Sequence, residues 1–150
     1  MHPNEQLVTD FYSALQRRDA DAMIACYHPD VRFSDPVFTD LHGARAGAMW
    51  TMLCARGKDL KVEFRDVSAN DTTGSAHWEA WYTFSQTGKK VHNVIDATFV
   101  FRDGKIAEHT DDFDLHRWAS QAIGTAGRIF GGFGFFQEKL RARALKSLRP

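Results

Sequence analysis

Asp35, Asp96 and the pair His109/Asp111 are the residues whose type and setting could do chemistry. Asp35 follows Val31 and Phe33 at alternate positions, so it continues an apolar strand face up to Pro36. A carboxylate in apolar surroundings can serve as a general base. The plainer alternative is an Asp-Pro turn in which Asp35 bonds a backbone N–H. Asp96 lies between Ile95 and Ala97 in a long strand-like run. A lone charge buried there is costly, so a neutral or paired acid is expected, either in a pocket or against an Arg or His across the sheet. His109 and Asp111 are two residues apart and share a strand face that Phe113 continues. They suit acid/base work or a structural hydrogen bond; as metal ligands, two are too few for a site. No glycine-rich phosphate loop or metal cluster stands out, so no cofactor and no metal are expected. His77, His92 and His116 read as ordinary surface or sheet histidines.

Positioning these groups requires helices and a meander. Residues Asn4 to Arg18 carry Leu7, Val8, Phe11, Ala14 and Leu15 on one helical stripe. A second helix is expected over about Ala20–Tyr27, between Asp19 and Pro29. A strand follows over Val31–Asp35, then a third helix from Gly43 to Gly57 with Trp50, Leu53 and Cys54 on one face. Four strand-like segments come next: Leu60–Val67, Ser75–Ser85, Val91–Arg102 and Lys105–Phe113. Turn residues separate them, ending with the tight Asp103-Gly104 hairpin signal. Strands joined so closely are antiparallel. The order of elements is α+β rather than alternating α/β.

A chain of 150 residues with 43% hydrophobic and 25% charged residues suits one globular domain. Its division is expected at residue 123. Residues 1–123 form the domain. Residues 124–150 form a glycine-aromatic segment, with Ile129, Phe130, Phe133, Phe135 and Phe136, and a basic helix packed on that domain. This segment could lid a cavity. Lys+Arg and Asp+Glu both total 19, so no overall field draws in nucleic acid or a membrane. Cys26 and Cys54 read as free thiols of a cytoplasmic protein. The 12 Phe, 4 Trp and 3 Tyr suit a deep apolar cavity or a plain aromatic core. One of Trp78 and Trp81 must face outward, where an aromatic sheet face commonly joins a homodimer.

The element order, with Phe11-Tyr-Ser-Ala-Leu-Gln-Arg-Arg-Asp19, Phe33-Ser-Asp-Pro-Val37, Val94-Ile-Asp96 and the stretch Gly104 to Asp114, resembles the nuclear transport factor 2-like superfamily. Within it the chain resembles ketosteroid isomerases and SnoaL-like polyketide cyclases. The resemblance implies a cystatin-like cone: a curved antiparallel sheet wrapped around three helices, here with an extra C-terminal helix. It implies Asp35 as general base and Asp96 as a protonated acid that donates to the oxyanion. It also implies Asp111, near His109, as acid/base of an aldol ring closure. A pocket lined by Phe11, Tyr27, Phe33, Trp50, Trp78 and Tyr82 would take a small apolar carbonyl compound, polycyclic or polyketide-like. The isomerases' first-helix tyrosine aligns with Phe11, which leaves a non-catalytic binding module as the alternative to an isomerase or cyclase.

Overall fold

A computed structural model describes residues 1–130 and 134–148, without the side chains of residues 126, 129, 130, 135, 136 and 147. The expected aromatic lid of Ile129, Phe130, Phe133, Phe135 and Phe136 therefore lies outside the described residues. Helix α1 (Pro3–Gln16) starts with proline at its first position, where the missing N–H costs nothing. Its Val8, Phe11, Tyr12 and Leu15 are buried. Asp19 caps α2 (Ala20–Ala25) by accepting from Ala22 N–H. The helix stops before Tyr27, which instead opens β1 (Tyr27–Ser34). After the short β2 (Leu41–His42), α3 (Ala44–Arg56) buries Ala46, Met49 and Trp50.

The meander comprises β3 (Lys61–Ala69), β4 (Thr73–Thr83), β5 (Lys90–Arg102) and β6 (Lys105–Asp112), all paired antiparallel in sequence order. Asp103 and Gly104, both at positive φ, make the β5–β6 turn. The six strands run β2-β1-β6-β5-β4-β3. One pair, β1–β6, is parallel, because the whole meander separates its two members. Register shifts in β1, β3 and β5 bend the sheet. Its concave face wraps α1 and α3, giving the expected α+β cone. Helices α4 (Leu115–Ala122), α5 (Thr125–Phe130) and α6 (Gly134–Ser147) follow β6. None of the described helices is long and apolar enough to cross a membrane.

Along β5 the inward residues are Val91, Asn93, Ile95, Ala97, Phe99 and Phe101, and every residue between them is more exposed. Trp78 and Ala80 face the same core from β4, while His77, Glu79 and Trp81 lie on the outer face. This alternation decides which polar groups reach the cavity.

Candidate functional site

The cone encloses a cavity of about 250 Å³, at the lower edge of the ~300–1,000 Å³ common for small-molecule sites. Asp35, Asp111, Tyr82 and Asn93 are among the polar groups on its wall, set between apolar residues such as Met49, Trp50 and Ile95.

Asp35 follows the last residue of β1 and points into this cavity. Its Oδ1 accepts from the backbone N–H of Val37 at 2.7 Å and of Phe38 at 2.6 Å. Both readings from sequence thus hold at once: one oxygen pins the turn and the carboxyl faces the pocket. Among the described residues Oδ2 has no partner. Burial pushes the carboxyl up from 3.8 to about 7, and the charge of Asp111 adds to the rise. The two backbone donors pull the other way and lose to burial.

Asp111 is 4% exposed, and its Oδ1 lies 2.9 Å from His109 Nε2 and 3.3 Å from the Trp78 Nε1 that donates to it. His109 is fully buried. Its Nδ1 lies 2.8 Å from the Tyr27 hydroxyl, which accepts from Trp50 Nε1 at 2.8 Å. Trp50 donates to the Tyr27 oxygen, and with a neutral imidazole the Tyr27 O–H is free to donate to His109 Nδ1. The neutral imidazole then carries its proton on Nε2 and donates to Asp111. Every hydrogen in the chain is used. Phe11 packs on Tyr27 and edge-on to His109, and Phe33 meets the His109 ring at 4.9 Å. His109 therefore holds Asp111 in place from behind and does not reach the cavity.

Tyr82 lines the cavity near Asp35. Its oxygen accepts from Trp118 Nε1 at 2.8 Å, and its own proton has no acceptor among the described residues. Burial raises the phenol to about 12, so the hydroxyl stays a donor at neutral pH. Asn93 is 7% exposed, and its carboxamide has no partner among the described residues. Tyr12 is fully buried against Phe64 and Trp78, and its hydroxyl, sealed from solvent, has no partner among the described residues.

Several expectations need correction. Asp96 is not in the pocket: its side chain is 79% exposed on the outer sheet face and bonds His77 Nδ1 at 2.9 Å. Strand period two explains it, because apolar inward neighbours on both sides force the residue between them outward. The pairing with a histidine across the sheet, weighed for Asp96, is the one observed. Phe11, Tyr27 and Phe33 form the layer behind the wall; Trp50, Trp78 and Tyr82 do line it. Asp112 is exposed and Asp114 caps α4, which leaves Asp111 as the inward acid of the three. Asn93 was missed, although its apolar inward neighbours Val91 and Ile95 signal its face. Among the described residues no group of three or more His, Cys, Asp or Glu could hold a metal.

The fold and this acid-lined cone place the chain among known proteins. It belongs to the SnoaL-like domain family, whose sequence pattern matches residues 8–109. The fold is similar to that of a candidate polyketide cyclase from Xanthomonas campestris, at 26% identity and TM-score 0.64, over 77% of this chain and 93% of that one. A protein from Catenulispora acidiphila with a ketosteroid isomerase-like fold matches at 12% identity and TM-score 0.67, over 77% and 91%. An LEH-like epoxide hydrolase from Mycobacterium tuberculosis matches at 18% identity and TM-score 0.62, over 97% and 94%. No curated protein matches the chain.

Proposed function

We propose that the cone binds a small apolar carbonyl compound and that Asp35 moves a proton at the carbon next to its carbonyl. The observation that carries this reading is Asp35 itself, a carboxyl with one unpartnered oxygen, poised near neutrality in an apolar cavity. As carboxylate, Asp35 takes the α-proton, and the C–H electron pair moves into an enolate. The enolate oxygen accepts from Tyr82 O–H and from the Asn93 carboxamide, in the place of a first-helix tyrosine. Asp35, now protonated, returns the proton to another carbon of the conjugated system, which is isomerisation. Alternatively, the enolate carbon attacks a second carbonyl of the same molecule and the new alkoxide takes the proton, which is ring closure. Asp111 stands beside this path as a second acid/base group. No cofactor enters either step.

The experiment is α-proton exchange of 2-acetylnaphthalene in D₂O, followed by proton NMR. The protein accelerates loss of the acetyl signal, and Asp35→Asn abolishes the acceleration. Binding without acceleration would instead mark a non-catalytic binding module. We also place the protein in the cytoplasm as a homodimer joined through the outer sheet face, where Trp81 and Val100 lie. Sedimentation of the wild type against Val100→Glu tests the dimer.

A further inference from the structure

Among the described residues four charged ones line the cavity, and they are sorted by exposure. The acids Asp35 and Asp111 lie inside, with Asp111 almost wholly buried. The bases Arg56 and Arg143 are exposed at the mouth, one on the last turn of α3 and the other on α6. Several other arginines are occupied. Arg32 forks onto Asp40, Arg102 reaches Asp30, and Arg141 bonds the Pro36 carbonyl and Glu138. The guanidinium groups of Arg56 and Arg143 have no hydrogen-bond or ion-pair partner among the described residues. The acid nearest Arg56 in sequence, Asp59, already accepts the N–H and hydroxyl of Thr83, and the one nearest Arg143, Glu138, accepts from Arg141. Much of the remaining wall is apolar, through Met52, Leu53, Leu60 and Leu140 among others, with Thr83, Ser85, Gln86 and Thr87 adding polar groups.

We propose that the compound this pocket takes is amphipathic, with its carbonyl at the floor and a carboxylate or similar anionic group at the rim between Arg56 and Arg143. This rests on the carbonyl-compound reading above and adds the ligand's charge and direction. An anion cannot enter floor-first, because the inner carboxylates repel it and burial strips its hydration. At the rim the same anion meets two guanidinium groups whose planar forks match a carboxylate. The apolar wall accepts the ring system, so the charge pattern alone fixes which end goes in.

Calorimetric titration of the whole chain with two matched probes tests this: neutral 2-acetylnaphthalene, and 6-acetyl-2-naphthoate with the ketone and carboxylate at opposite ends. The naphthoate should bind about tenfold more tightly at low salt, an advantage of about 1.4 kcal/mol, and the advantage should shrink as salt screens the rim. Arg56→Gln with Arg143→Gln should remove that advantage and leave the neutral probe's affinity unchanged, which also shows that the variant is folded. If the neutral probe binds as well as or better than the naphthoate, or the advantage survives in the double variant, the rim assignment is overturned and the carbonyl pocket stands. Binding of neither probe would overturn the pocket reading itself, and the rim assignment with it.

Discussion

Asp35→Asn should make the protein more stable as pH rises, while removing its proposed chemistry. The native carboxyl titrates at about 7 and an ordinary one at 3.8. Between those values the folded state holds a proton that the unfolded chain has released, so wild-type stability falls with pH. The loss is complete above the folded value and absent well below the unfolded one. From the two values, the wild type loses about 3 kcal/mol between pH ~4.5 and ~8. The asparagine variant has nothing to titrate at this site. Its amide oxygen keeps the bonds from Val37 and Phe38, and its unpartnered amide N–H groups cost a fixed ~1–2 kcal/mol at every pH. The offset between the two proteins is therefore uninformative and the slope decisive. Urea melts across this pH range should show the variant gaining about 3 kcal/mol on the wild type. In thermal melts the same gain is about 6–12 °C for a chain this size. A pH-independent difference would mean that Asp35 is ionised throughout, and the argument from burial would fail.

The exchange reaction should itself rise with pH through about 7 and then level, since only the ionised form of Asp35 is a base; a flat profile would exclude it. Tyr82→Phe should slow exchange by ~10²–10³, the usual effect of losing one oxyanion donor, with little change in calorimetric affinity for 2-acetylnaphthalene. His109→Leu should cost about 2–4 kcal/mol in urea melts, because it strips both Tyr27 O–H and Asp111 of a buried partner. Tyr12→Phe should be neutral or stabilising by up to ~1 kcal/mol, because the hydroxyl it removes has no bond to lose.

Local pattern made much of this legible. The stripe of α1, the caps at Asp19 and Gly57, and the Asp103-Gly104 turn depend on neighbours a few residues apart, and the structure holds them where spacing put them. Asp35 was legible for the same reason, as the third member of an alternating face. The apolar flanks of Asp96 suggest burial, yet its side chain is exposed. In a strand those flanks mean the opposite, and the same rule read correctly points to Asn93. Tyr27 was assigned to the end of α2, yet it opens β1. Pro29 lies in the stretch of β1 between Tyr27 and Arg32 where the pairing with β6 shifts register. What no spacing could supply are the bonds between distant segments: Tyr27 to His109, Trp118 to Tyr82, and α6 against the cavity. Those depend on how the sheet curls, which period and propensity do not encode.

The stretch matched to the SnoaL-like family ends at residue 109, and α6 begins 25 residues later. That boundary cuts across both ends of the pocket: Asp35 and Arg56 lie within the matched stretch, Asp111 and Arg143 beyond it. The floor is locked: Asp111 cannot turn without breaking the His109 and Trp78 bonds, and His109 cannot turn without releasing Tyr27. The rim has few such ties, and Arg141 to the Pro36 carbonyl is the one side-chain bond from α6 to the β1–β2 segment among the described residues. Mutation can accordingly rewrite the entrance at small cost while the acids behind it stay put.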